Sequence, residues 1–187
     1  MKRIIIALIL ATILTSTLLP TAVLAATGTV TATVTAGTIG VTVDNGNVTY
    51  GTLPFDTVKN TAQYDATDNA AGMNTPQTQT ITTSGGVAVD INIKTSDAVG
   101  STDWTVGTSR AADQFTHAYN VANTAYSGGN PGPTFTMWTA ADTDVTVASG
   151  VTDVTRYLEL EIGMPTSATD AAAHTITVTV TVVQSSG

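Results

Sequence analysis

A chain of 187 residues with 14 acidic residues, six basic residues and a net charge of −8 lacks the basic surface that nucleic acids and anionic lipids require. It contains no cysteine, which excludes disulfide bonds and a lipid-modified cysteine, so stability has to come from core packing, assembly or bound ions. Threonine makes up about a fifth of the residues and favours strands over helices.

The first 25 residues have the layout of a secretory signal peptide. Lys2 and Arg3 precede an apolar stretch, 4–19, and small residues lead up to Ala25. We expect cleavage after Ala25, which would leave 162 residues with a net charge of −10 and place the protein outside the cell or on its surface. A retained membrane anchor is the alternative, although polar residues and Pro20 interrupt the apolar run.

The two strongest strand signals lie near the ends of the remaining chain, at Thr27–Ala36 and His174–Val183. In both stretches threonine alternates with a small or branched apolar residue. Successive side chains of a strand point to opposite faces, so each stretch should present one apolar face and one hydroxyl face. We therefore expect an N-terminal strand within 26–36, followed by a domain that spans 37–187.

Runs rich in β-branched residues alternate with turn residues between these two stretches, which predicts further strands. The predicted strands are Ile39–Val43, Asn47–Leu53, Gln77–Thr83, Val87–Thr95, Trp104–Gly107, Gln114–Val121, Thr134–Thr139, Val145–Ala148 and Arg156–Ile162. Asp44–Asn47 and Ser84–Gly86 are predicted hairpin turns, and Ala62–Thr75 a long loop. The fold class is therefore predicted to be all-β: a single antiparallel β-sandwich, Ig-like or jelly-roll.

The alternation also predicts which side chains face the core of this sandwich. The inward set is Ile39, Val41, Val43, Val87, Val89, Ile91, Ile93, Leu158, Leu160, Ile162, Ile176, Val178, Val180 and Val182.

Catalytic residues are hard to assemble from this sequence. It has two histidines, His117 and His174, and no spacing brings a base, a nucleophile and an orienting carboxylate together. We predict that the chain is not an enzyme and has no cofactor. His117 is expected to be a hydrogen-bonded residue on a half-buried strand face.

Two pairs of carboxylates have the two-residue spacing that places both on one side of a strand or turn. Glu159 and Glu161 alternate with apolar residues and are expected to face outward, and Asp142 and Asp144 lie in a turn. Such pairs could bind calcium, but no calcium-loop motif is present. A solvated acidic face is the preferred interpretation, and no metal site is predicted.

Aromatic residues offer a possible binding surface. Trp104, Trp138 and the strand face with Phe115 and Tyr119 could form a platform that stacks on sugar rings, with cell-wall or matrix polysaccharide as the partner. Burial in the core is the alternative, because aromatic side chains supply so much apolar area.

Two further residues suggest covalent modification. Asn47-Val48-Thr49 is an N-glycosylation sequon, whose use depends on the host. Lys94 could suggest an intramolecular isopeptide bond, but it alternates with isoleucines and is expected to point outward, whereas that chemistry needs a buried lysine.

The layout resembles a diffuse group of secreted prokaryotic β-sandwich surface proteins. A signal peptide, a Thr/Val-rich N-terminal strand and then a sandwich are similar to the TasA- and camelysin-type matrix fibre subunits and to archaeal bundling pilins. Asp103-Trp104-Thr105-Val106 resembles the Trp-x-Leu motif of WxL-type cell-surface proteins, with valine in place of leucine. The resemblance implies a surface location and either assembly or association with the cell wall.

The leading functional hypothesis is a structural subunit of an extracellular filament or sheath, with copies of itself as partners. Thr27–Ala36 would be a donor strand that completes the sandwich of the next subunit, with Val30, Ala32 and Val34 in alternate pockets and Gly37 as a hinge. The alternatives are that this strand pairs within its own domain, and that the protein is a surface module that binds glycan or cell wall. No nucleic-acid partner is expected, nor a membrane-embedded state after processing.

Overall fold

The computed structural model describes residues 38–128 and 132–186, and this part of the chain is all-β. It contains ten strands and no α-helix. The strands are β1 (Gly40–Asp44), β2 (Val58–Asn60), β3 (Gln79–Ser84), β4 (Val89–Thr95), β5 (Thr105–Val106), β6 (Gln114–Ala122), β7 (Thr136–Met137), β8 (Val145–Val151), β9 (Thr155–Gly163) and β10 (Val178–Gln184). The proposed signal peptide, the donor strand with Val30, Ala32 and Val34, and Gly37 lie outside the described residues.

Seven strands form one sheet, in the order β1-β3-β9-β6-β5. The two remaining strands of this sheet are short. β2 pairs with β9 beyond the end of β3, and β7 pairs with β6. The pairs are antiparallel except for β5 and β6, which are parallel. β9 is the central strand, because β2 and β3 lie on one side of it and β6 on the other.

The other three strands form a second sheet, in the order β10-β4-β8. β10 and β4 pair over seven residues, from Val178 opposite Thr95 to Gln184 opposite Val89. The C-terminal Thr/Val stretch is therefore a strand, as predicted, but it begins four residues later than expected. This sheet packs on the larger one, which gives the sandwich-like fold that the sequence predicted.

The core between the sheets contains alternate residues of the central strands. Ile81, Ile91, Ile93, Trp138, Leu158 and Leu160 form one buried cluster, and Ala98, Trp104, Val106, Phe115 and Ile162 form a second. β4 is the clearest case: its side chains alternate strictly between buried and half-buried positions, which matches the predicted period of two.

Both predicted hairpins were wrong. The Asn47–Leu53 stretch contains no strand, and β1 pairs with β3 instead of with its neighbour in sequence. Ser84–Gly86 connects β3 of one sheet to β4 of the other. Turn residues therefore marked where the chain reverses, but local sequence does not encode which strand becomes the partner.

As predicted, Ala62–Thr75 contains no strand. The predicted exposure of the glutamates, however, was wrong for Glu159. β2 pairs with β9 within the sheet, and the chain that follows it contacts the outer face of β9, where Thr61 and Thr78 donate to Glu159. Thr61, Ala62 and Asn69 of this segment are buried. Glu159 does face away from the sandwich core, yet it is only 2% exposed because this segment covers it.

Candidate functional site

A large groove opens between the two sheets, on the side where β1 and β10 form the sheet edges. Its volume is about 910 Å³. Leu158, Leu160 and Ile162 of β9 line the groove, with Val43 of β1 and with Val178 and Val180 of β10. The groove is therefore bounded by both sheets and has a mainly apolar lining.

The β1 edge of this groove carries apolar side chains that other described residues cover only in part. Ile39, Val41 and Val43 share one face of the strand and are 36%, 43% and 37% exposed. The sequence predicted all three as core residues, and the structure leaves each of them only partly covered. A contiguous exposed apolar strip of this kind marks an interaction surface more often than a free monomer surface.

Both strands at the mouth of the groove keep one unpaired backbone edge within 38–128 and 132–186. β1 pairs with β3, and β10 pairs with β4, so the other side of each strand presents free N–H and C=O groups. An exposed strand edge is a template for another strand. Edges and apolar lining together give the groove the properties of an acceptor site for an extended peptide.

The segment between β1 and β2 borders the groove without forming a strand. Thr49 donates its backbone N–H to Gln77 Oε1 (2.7 Å) and accepts from Gln77 Nε2 (2.9 Å) at its carbonyl, so one side chain holds it on both sides. Tyr50 packs against the second cluster, and its hydroxyl is buried without a hydrogen-bond partner among the described residues. Burial raises the pKa of Tyr50, with the charges of Glu161 and Glu159 adding, so this phenol stays neutral.

His174 lies at one end of the groove, on the segment that leads into β10. Its ring stacks on Trp104 with centroids 3.7 Å apart. Nδ1 lies 2.8 Å from the carbonyl oxygen of Ala172, and Nε2 lies 2.8 Å from that of Thr102. The Trp104–His174 stack was not predicted, because the partners are 70 positions apart and no local pattern links them.

The proposed glycan platform is not present as an exposed surface. Trp138 and Trp104 are 1% and 4% exposed, Phe115 is fully buried, and Tyr119 is half-buried against Trp138 at a centroid distance of 4.7 Å. The alternative prediction, burial in the core, describes these rings better, because they pack within the two buried clusters. Their faces are therefore not free to stack on sugars.

His117 belongs to the same aromatic core. Its ring lies 4.9 Å from that of Trp138, and Nδ1 is hydrogen-bonded to Thr95 Oγ1 at 2.7 Å. Burial lowers the pKa of His117 to about 3, so it stays neutral at physiological pH. It is a hydrogen-bonded strand residue, but buried rather than half-buried as predicted.

The other predicted site residues are on the surface. Asn47 is exposed and borders the groove, and its glycosylation stays a prediction. Lys94 forms an ion pair with Asp142 at 3.5 Å, in which Asp142 is largely exposed. The described residues contain no group of three or more histidine or acidic side chains arranged to hold a metal ion. Nor does that part of the chain include a helix with the length and apolar character to cross a bilayer.

Glu159, which is buried, and Glu161, which is partly buried, give the stability of the fold a pH dependence. Burial raises the pKa of Glu159, and this effect outweighs the hydrogen bonds from Thr61 Oγ1 (2.6 Å) and Thr78 Oγ1 (2.5 Å), which lower it. Burial also raises the pKa of Glu161. A carboxyl whose pKa is higher in the folded state stabilises the fold below its unfolded pKa, and this contribution is lost as the pH rises through the folded pKa.

We therefore expect Glu159→Gln to stabilise the protein at pH 7 and to lose this advantage as the pH falls towards 4. Urea unfolding of both proteins across that range measures the difference. Asp144→Asn, at an exposed turn, controls for the loss of one negative charge. A Gln variant that is less stable at pH 7 would contradict the electrostatic explanation.

Comparison with known proteins finds no relative: no family model matches the chain, and no curated protein or solved structure does either.

Proposed function

We propose that the protein is a structural subunit of an extracellular filament, and that it polymerises when Thr27–Ala36 of one copy occupies the groove of the next. The observation that supports this most directly is the apolar groove between two unpaired strand edges, β1 and β10. An added strand would satisfy an edge with main-chain hydrogen bonds and place alternate side chains in the groove.

The dimensions of the donor and the acceptor agree. A ten-residue strand extends roughly 33 Å, and the seven residues of β10 extend roughly 23 Å, so the donor can cover the whole edge. Val30, Ala32 and Val34 are small, which suits a groove already bordered by branched side chains. Each backbone hydrogen bond adds about 1 kcal/mol net.

This contact is heterologous, because the donor segment and the groove are different surfaces of the same chain. A heterologous contact that does not close on itself propagates into an open filament. The buried positions of Trp104, Trp138 and Phe115 give no support to the alternative of a glycan-binding module.

The decisive experiment replaces the apolar face of the donor strand. We expect Val30→Gln, Ala32→Gln and Val34→Gln together to raise the critical concentration for filament formation at least about 100-fold, because they remove roughly 3 kcal/mol of apolar burial. The matched control places glutamine at Thr29, Thr31 and Thr33, on the opposite face, and should still polymerise. Electron microscopy and sedimentation measure both.

A second pair of variants separates donation between subunits from pairing within one chain. Deletion of 26–36 leaves an acceptor without a donor, and Val180→Lys in the groove leaves a donor without an acceptor. If strands are exchanged, neither variant forms filaments alone, and the mixture forms one-to-one dimers. Filaments from the deletion variant, or a mixture that stays monomeric, would show that the donor-strand proposal is wrong.

A further inference from the structure

Asn45 and Gly46 form a tight turn directly after β1. No other asparagine in the sequence is followed by glycine. Both residues have a positive φ, 75° and 58°, and the Asn47 N–H donates to the Asn45 carbonyl oxygen at 2.7 Å, two positions back. A three-residue turn with a positive φ at its centre belongs to the rare and strained class of γ-turns. The one Asn-Gly pair of the chain therefore lies in a strained turn.

This turn leaves the Asn45 side-chain amide open to attack by the backbone. The Gly46 N–H makes no hydrogen bond with another described residue, so no carbonyl holds its nitrogen in place. Beyond its chain neighbours, no heavy atom lies within 4 Å of the position that a Cβ of Gly46 would occupy. Residues 41–47 are exposed, so the turn can change conformation without uncovering a buried side chain. The Gly46 nitrogen therefore has both the room and the freedom to reach the side-chain carbonyl carbon of Asn45.

The reaction that follows is ordinary amide chemistry. The Gly46 nitrogen loses its proton and attacks Cγ of Asn45, so a new C–N bond closes a succinimide ring. The Cγ–Nδ2 bond breaks, and Nδ2 leaves as ammonia together with the proton that Gly46 gave up. Water then opens the ring. Attack at Cγ gives aspartate, and attack at the backbone carbonyl carbon gives isoaspartate, in which the chain continues through the side chain.

Either product removes a contact that holds the end of β1. Asn45 Nδ2 donates to the Thr78 carbonyl oxygen at 3.0 Å and so ties this turn to the residue before β3. A carboxylate has no N–H to donate, and it would place a negative charge next to Asp44. Asp44 is paired with Thr80 at the end of the β1–β3 ladder. Modification of Asn45 should therefore loosen this end of the ladder.

We propose that Asn45 is a site of spontaneous modification, at which solvent water converts the asparagine to aspartate and isoaspartate and loosens the end of β1. Gly46 and Asn47 line the groove, so the change occurs at its border. The inference does not depend on the proposed function, because it concerns only the covalent structure of the turn and the β1–β3 ladder.

The first test follows the reaction in the intact protein at pH 6 and pH 8.5. Digestion with trypsin leaves Asn45 and Asn47 on one peptide, which ends at Lys59, and mass spectrometry of its fragments assigns each position. Asn47 is also exposed, but the β-branched side chain of Val48 hinders the approach of the next nitrogen. We expect conversion at Asn45 to be at least about tenfold faster than at Asn47. It should also be faster at pH 8.5, because the attacking nitrogen has to lose its proton.

Two variants connect the reaction to the structure. Asn45→Gln keeps an amide but lengthens the side chain, so the ring forms more slowly and position 45 should stay unmodified. Asn45→Asp introduces one of the products directly. Hydrogen exchange of amides 42–44 and 80–82 should be at least about fivefold faster in this variant, and in the incubated protein, than in fresh protein. Amides 91–93 of β4, in the other sheet, are the control and should not change.

Each part of the inference has its own contradicting outcome. Conversion at Asn45 that is no faster than at Asn47 would overturn the modification site. Conversion that leaves the exchange of 42–44 and 80–82 unchanged would overturn the loosening of β1. Neither measurement requires filaments, so failure of this inference is distinguishable from failure of the proposed function.

Discussion

Replacing Trp138 with alanine is expected to lower the free energy of unfolding by about 3–5 kcal/mol, as for other buried aromatic residues. The side chain is 1% exposed and lies between His117 and Tyr119, at centroid distances of 4.9 and 4.7 Å. Single domains are stable by only about 5–15 kcal/mol, so this variant should be close to unfolding. Urea unfolding followed by the fluorescence of Trp104 measures the loss.

The neighbouring residue provides the control for this prediction. Met137 is 48% exposed, and Met137→Ala should change stability by no more than about 0.5 kcal/mol. If Trp138→Ala changed stability by less than about 1 kcal/mol and instead abolished binding to a polysaccharide, the indole would be a surface group. The core assignment would then be wrong.

Replacing Thr61 with valine should cost about 2–4 kcal/mol, although the two side chains have nearly the same shape. Thr61 is fully buried, and its hydroxyl donates to Glu159 Oε2 at 2.6 Å while accepting the Leu160 N–H at 2.9 Å. Valine would leave a buried amide without a partner and remove a charge-assisted bond from a buried carboxylate.

The cost of Thr61→Val should also depend on pH. The ionised carboxylate of Glu159 needs its donors, whereas the protonated carboxyl, which the raised pKa favours, needs them less, so the loss should be smaller in acid. Thr181→Val, at an exposed position of β10, controls for the change in strand propensity. Equal costs for the two substitutions at pH 7 would mean that the hydroxyl of Thr61 has no special role.

The class of fold could be predicted from the sequence because the pattern that indicates a strand is local. Strict alternation in Val87–Thr95 and Arg156–Ile162 identifies β4 and β9 and their inward faces. The pairing of strands was not predictable in the same way. β1 pairs with β3 rather than with the next stretch of chain, and no periodicity distinguishes the two outcomes.

The site was predicted less well, because its parts are distant in sequence. The exposure of Ile39, Val41 and Val43 follows from where the second sheet ends, which depends on the whole fold. Glu159 is buried by a segment about 100 positions earlier, and the alternation around it says only which face it occupies. The aromatic residues were recognisable as important, but periodicity does not separate a core ring from an exposed one.

Gly85 has a positive φ of 119°, and a side chain there would overlap the backbone carbonyl of Thr38, where the described chain begins. The turn between β3 and β4 therefore closes directly onto the first described residue of the chain, and only glycine lets the two backbones approach this closely. Any other residue at position 85 would have to displace Thr38. Because Gly40 is the partner of Ser84 in the β1–β3 ladder, that displacement would disturb the end of β1 that lies next to this turn.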